Sequence, residues 1–469
     1  MLFTSFSFVV LVAVTFCFYY LPPLHRWQVP ILIAASLVFY MVNQADLLWL
    51  LLLSISVNIV ASYLVVYGRT DLRLFHATWG VVVNLGILCF FKYGPLLSQT
   101  FLPANSTLGE TLSALPLPVG ISFFTFQGIS LVVDTYRNRD VPRFRSLIAR
   151  NLAQHAQTVF FFKAFFPQLI SGPIVKAHFF LPQISRKYWA DIQWENCFRT
   201  LVVGYFLKMV VADNLKDHTM LITYPYFEGY SSLTLLGLLF GYSMQIFADF
   251  AGYSLIALGL AGLFGYTFPA NFNFPYVAVS FADFWRRWHI SLSSFLREYL
   301  YIPLGGNRHG VWRTYLNLML TMVLGGLWHG AAWSYAVWGF GHGLALALER
   351  FVDQHIPLKS TRITQVIRSS VVFSYVTLLW LLFKLPDFNH VVAYCRAIVN
   401  NVGKPHDSRV LSLILLYSLG VVGYHVHYLM RSSESHYEPS TWEFVGCGIL
   451  LFFIITNSGS AGTFIYFQF

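Results

Sequence analysis

The chain has 469 residues, of which 57% are hydrophobic, 18% aromatic and only 11% charged, where a typical soluble domain carries about 25% charged residues. That composition excludes a soluble globular enzyme, a disordered chain and a collagen-like fibre, and long unbroken apolar runs fit poorly with the alternating strands of a spanning β-barrel. The net charge of +10 is scattered through short loops without a basic tail, so it reads as the Lys/Arg excess of cytoplasmic loops and not as a nucleic-acid surface.

Taken in chain order, the pattern is that of an all-α, multi-pass integral membrane protein. Residues 2–21 are apolar, with no basic residue before them and no small-residue cleavage site, and predict a retained first span. Further spans are expected at about 28–42, 47–67, 74–97 and 118–134. The loops between them alternate. His25-Arg26, Arg69/Arg73 and Arg137/Arg139/Arg143/Arg145/Arg150 fall on one side, while Asn43–Asp46 and Pro103–Thr111 carry no Lys or Arg. The positive-inside rule puts the arginine loops in the cytoplasm and the N-terminus outside. A sequon, Asn105-Ser106-Thr107, lies on the outer side.

Residues 152–183 are apolar but interrupted by Lys163, Pro167, Gly172-Pro173 and Lys176, which predicts broken or re-entrant segments buried in protein. Later spans are expected near 198–212, 232–248, 251–268, 314–327, 331–347, 367–384, 408–427 and 442–457. No linker or internal repeat interrupts the chain, so one membrane domain over 1–469 is expected. The five cysteines, Cys17, Cys89, Cys197, Cys395 and Cys447, form no C-x-x-C and imply neither a disulfide framework nor a zinc site.

Ionisable residues in apolar segments are costly and mark candidate sites. The richest stretch is 281–310 and contains Asp283-Phe-Trp285-Arg286-Arg287-Trp288-His289-Ile-Ser291-Leu-Ser293 and Tyr301-Ile-Pro303-Leu-Gly305-Gly306-Asn307-Arg308-His309. As one helix it would place Phe281, Trp285, Trp288, Leu292, Phe295 and Tyr299 on a single apolar stripe. Arg286, Arg287 and Arg297 would lie off the stripe and His289 at its edge. The structural alternative is an interfacial anchor with an Asp283–Arg287 pair. A second stretch, Leu324-Gly325-Gly326-Leu327-Trp328-His329-Gly330-Ala-Ala-Trp333, lies within residues 314–348, which contain no Asp, Glu, Lys or Arg. The Gly pair is expected to mark a bend or break, leaving His329 near membrane depth between small residues. A neutral buried histidine can act as a general base; a structural histidine bonded to a helix carbonyl is the alternative. His342 and the lone carboxylate Asp249 are weaker candidates. Serine-hydrolase, nucleotide-loop and zinc-protease motifs are absent, and no metal site is expected.

These blocks, with Pro118-Val-Gly120-Ile-Ser122-Phe-Phe-Thr-Phe126, Asp134-Thr-Tyr136-Arg137 and Phe166-Pro167-Gln-Leu-Ile-Ser-Gly172-Pro173, make the sequence resemble the membrane-bound O-acyltransferase family. The resemblance is to its bacterial branch that acetylates exported polysaccharides such as alginate and cellulose. It covers about residues 1–350. It implies a bundle of about 10–13 membrane segments, some re-entrant, enclosing a funnel or tunnel, in the bacterial inner membrane. It implies His329 as the catalytic residue and His289 as the second polar residue of the site. It further implies no bound cofactor, acetyl-CoA as the acyl thioester donor, and an extracytoplasmic acetyltransferase or polysaccharide as acceptor. Donors of this class carry phosphates, so Arg286, Arg287 and Arg297, with Trp328, are candidate donor contacts. The rival within the family is a D-alanyl transferase for teichoic acid. The rival of another class is a proton-coupled transporter, with lone membrane histidines and Asp249 as a relay.

Overall fold

Several helices start at a side-chain cap. Ser5 accepts from Phe8 N at the start of Phe6–Tyr20, Asn151 from Ala153 N and Gln154 N before Leu152–Ala164, and Ser280 from Asp283 N before Phe281–Arg287. The computed structural model describes residues 1–103, 106–170, 172–356, 361–431 and 441–462; Asn105 of the sequon and Ser171 of the Phe166–Pro173 motif lie outside them. Among these residues the secondary structure is helical, with no strand. Five helical stretches are long and apolar enough to cross a membrane: Pro22–Tyr67, Thr70–Phe101, Ser232–Leu263, Arg362–Lys384 and Ser408–Met430. Phe6–Tyr20 and Trp442–Thr456 are shorter apolar helices. The chain is an all-α multi-pass membrane protein.

The chain divides into two compact units, one of residues 1–198 with 256–269, the other of 199–255 with 270–469. In the first, interlocking rings form the core: Phe165, Phe166, Phe180, Phe264 and Tyr266 are all at most 1% exposed, and Phe180 stacks on Tyr266 at 5.4 Å. A polar ladder crosses this apolar unit. Ser54, Asn58 and Ser62, spaced by four on the Leu48–Tyr67 helix, bond to Asn84, Lys163 and His155. Buried polar groups need such partners. Two of the arginine loops, Arg69/Arg73 and Arg137–Arg150, meet: Arg73 reaches Asp140 at 3.8 Å, and Tyr67 and Tyr63 donate to the carbonyls of Ile148 and Arg150.

The interrupted region 152–183 is broken as expected. The Leu152–Ala164 helix gives way to a single turn, Phe166–Leu169. Gly172 then takes φ 106°, a left-handed conformation open to glycine. Gly120 (φ 75°) lies so close to the carbonyl of Leu169 that a Cβ there would meet it at 2.5 Å.

Two expectations need correction. Residues 232–248 and 251–268 are not separate spans: Ser232–Leu263 is one helix of 32 residues. Its length, about 48 Å, exceeds the roughly 30 Å hydrocarbon core, and Asp249 is accommodated by pairing with Lys208 rather than by a break. Gly325-Gly326 does not break its helix either. Val311–His329 runs through the pair, and the chain turns afterwards, before Trp333–His355 begins. The glycines serve close packing: a Cβ on Gly326 would meet Tyr335 O at 2.2 Å, and one on Gly339 would meet Met322 O at 2.2 Å.

Candidate active site

The site lies in the second unit and begins with a backbone irregularity. The single helix expected from Phe281 to Tyr299 is instead two helical segments, Phe281–Arg287 and Ile290–Tyr301, the second α-helical to Leu296 and π-helical over Arg297–Tyr301, each too short to cross a bilayer. His289 separates them at φ 43°, ψ 53°. Left-handed backbone is uncommon outside glycine and marks places where the surroundings hold the residue. The holding group is Asn271. Its backbone carbonyl accepts from Ile290 N at 2.9 Å. Its Oδ1 accepts from Ser291 N and Ser291 Oγ at 3.3 and 2.9 Å and lies 3.1 Å from His289 Nδ1. Its Nδ2 donates to Ser254 Oγ at 3.1 Å. A carbonyl oxygen accepts only, so Nδ1 of His289 carries the proton and Nε2 the lone pair. The ring is fully buried, edge-on to Phe250 at 4.6 Å, and burial lowers its pKa to about 3.

His329 closes the Val311–His329 helix and is 2% exposed. Trp328, Trp338 and Phe383 surround it, each with ring centroids at 5.2 Å. The His289 and His329 rings lie 6.1 Å apart. His329 also lines a cavity of about 180 Å³, together with Trp285, Ser293, Arg297, Tyr301 and Trp338. Arg297 is exposed and His329 buried, so the lining joins a surface arginine to a buried imidazole.

The other sequence candidates fall differently. Arg287 binds Asp283 through Nε at 2.9 and 3.0 Å, as the i,i+4 spacing expects, and donates to Asn273 O; it braces the short helix. Arg286 is exposed and is not among the cavity's lining. Trp328 is buried against both histidines, 5.8 Å from His289, but does not line the cavity. His342 is fully buried between Trp338 at 4.5 Å and Trp285 at 5.0 Å. Asp249 and Asp213 share Lys208, at 2.8 and 2.7 Å. Among the described residues no three or more His, Cys, Asp or Glu side chains converge to hold a metal ion.

Sequence reasoning missed Asn271, the residue that sets His289's tautomer. The available signal was a pair of asparagines, Asn271 and Asn273, alternating with phenylalanines in Phe268–Phe274. It also missed the cavity walls Trp285, which read as a stripe residue, and Trp338, which was not singled out.

Comparison with known proteins follows this geometry. Residues 155–386, which include both histidines and Asn271, match the model of the membrane-bound O-acyltransferase family. A peptidoglycan O-acetyltransferase of Helicobacter pylori is 30% identical over 93% of this chain and 91% of its own length. A probable alginate O-acetylase, AlgI, of Azotobacter vinelandii is 37% identical over 79% of this chain and 72% of its own. A teichoic acid D-alanyltransferase of Bacillus subtilis is 28% identical over 58% and 70%.

Proposed function

From the premise that the chain belongs to the membrane-bound O-acyltransferase family and is an O-acyltransferase, we propose that it takes an acetyl group from a cytoplasmic thioester, acetyl-CoA, and passes it across the inner membrane for O-acetylation of an exported or cell-surface glycan. The observation that carries this reading is the placement of His329 and Arg297 on one cavity. Arg297 matches the phosphates of the donor. His329 takes the proton of the acceptor hydroxyl as its oxygen attacks the thioester carbonyl. The C–S bond then breaks, and the imidazolium returns the proton to the departing thiolate. His289, held neutral with a lone pair on Nε2, orients a proton-bearing group beside it. Aromatic walls exclude water, which would otherwise hydrolyse the thioester. The acceptor is a polysaccharide or an extracytoplasmic acetyltransferase that hands the group on. The names of the alginate and peptidoglycan relatives favour a glycan, and Trp328 supports the site from behind His329.

A D-alanyl donor on a carrier protein is the second reading, favoured by the Bacillus relative. The test is transfer of label from acetyl-CoA by detergent-purified protein, comparing wild type with a folded His329→Ala variant. Transfer by wild type and loss of at least about 10²-fold in the variant is the expected result. Equal rates would remove His329 from the chemistry. Label transfer only from a D-alanyl carrier would replace the acetyl donor.

A further inference from the structure

A groove of about 870 Å³ opens on the first unit between the Gln28–Gln44 and Leu152–Ala164 helices. Pro30, Ile33, Ala34 and Leu37 line it from one helix and Phe160 from the other, with Arg26, Trp27 and Gln157 also bordering it. It starts at Trp27 and reaches Leu37, ten residues of helix or about 15 Å. That is half the roughly 30 Å hydrocarbon core, the depth of one leaflet. The polar end is cationic. Arg26 is exposed, and a neighbouring segment brings two more basic residues: Gln28 exchanges hydrogen bonds with the backbone of Lys187, at 2.8 and 3.0 Å, and His25 meets the Tyr188 ring at 5.8 Å. Arg186 and Lys187 therefore lie next to His25 and Arg26. Lys187 sits over the Tyr266 ring at 4.9 Å and faces Asp191. Trp27, 51% exposed, precedes the first residue of the Gln28–Gln44 helix and is the kind of amphipathic ring that settles at a bilayer interface.

We propose that this groove binds one anionic phospholipid of the leaflet on the arginine-bearing side. An acyl chain lies against Ile33, Ala34, Leu37 and Phe160, and the headgroup phosphate meets Arg26, with Arg186 and Lys187 supplying the field around it. One-leaflet depth, apolar walls and a cationic rim together select a lipid over a partner helix, which would need a groove spanning both leaflets.

The test uses the full chain reconstituted in vesicles of equal parts phosphatidylglycerol and phosphatidylcholine, then extracted in mild detergent for native mass spectrometry. One phosphatidylglycerol retained in preference to phosphatidylcholine is expected. Arg26→Gln, at an exposed position, lowers that preference about five-fold. Ala34→Trp, also at an exposed position, fills the groove and removes the retained lipid of either kind. Equal retention of the two lipids, an unchanged preference in Arg26→Gln, or lipid kept by Ala34→Trp would each overturn the proposal. So would a stoichiometric co-purifying polypeptide released by Ala34→Trp, which would make the groove a partner's site.

Discussion

Gly326→Ala tests the packing that places His329. The Val311–His329 and Trp333–His355 helices cross backbone to backbone at Gly326 and Gly339. A Cβ on Gly326 would stand 2.2 Å from Tyr335 O and 3.0 Å from Gly339 Cα, where ordinary contact begins near 3.4 Å, so the helices must part by about 1.2 Å. The obstacle is backbone, which cannot rotate away. Overpacking of this kind costs about 1–3 kcal/mol of stability. His329 lies one turn further along the same helix, so the displacement carries its ring away from Arg297 and the cavity wall. A misplacement of about 1 Å at a reacting group can cost on the order of 10²-fold in rate. Acyl transfer should fall by about that factor in the alanine variant, with the thermal midpoint in detergent lowered but a monodisperse fold retained. Gly339→Ala should behave alike, because its Cβ meets Met322 O at 2.2 Å. Gly325→Ala is the control: its Cβ meets only the Cδ1 end of Leu296, at 2.8 Å, and a side chain can move. Wild-type rate and midpoint in Gly326→Ala, or a larger loss in Gly325→Ala, would refute the reasoning.

Four further outcomes follow from named contacts. Arg297→Met should raise the donor KM about ten- to a hundredfold, the worth of a charge-assisted hydrogen bond, and leave kcat near wild type; a change confined to kcat would take Arg297 off the donor's phosphates. Asn271→Ala leaves Ser291 N, Ser291 Oγ and His289 Nδ1 without their common acceptor, so chemical or thermal unfolding should show a loss of about 1–3 kcal/mol. Lys163 is fully buried and donates to the neutral Ser54 hydroxyl; Lys163→Met keeps the volume without burying a charge and should leave the midpoint unchanged or raised. His289 has a pKa lowered from 6.5 to about 3, so the unfolded state binds more protons between those values. Its contribution to stability is complete above pH 6.5 and declines as pH falls toward 3, a slope that melting curves should show reduced in His289→Gln.

How much of this could be read from the sequence depends on whether the deciding forces are local. The helical class and the broken stretch after residue 152 follow from apolar runs and from Pro167 and Gly172-Pro173, which act on their own backbone. The Asp283–Arg287 pair follows from i,i+4 spacing alone. The break at His289 does not, because Phe281 to Tyr299 has a good helical stripe and no Gly or Pro. What overrides the stripe is Asn271, eighteen residues earlier, which offers Ile290 and Ser291 a carbonyl and an amide oxygen that a continuous helix would leave unused. The Gly325-Gly326 pair fails as a break signal for the converse reason. Glycine costs a helix about 1 kcal/mol against alanine, and here a second helix, touching at Gly339, recovers that cost through contact no side chain would allow. Both errors sit within one turn or two of the histidines, at the glycine crossing and the left-handed backbone. The site is therefore where helical propensity and tertiary packing disagree most, which is the expected place for structure held in position for chemistry.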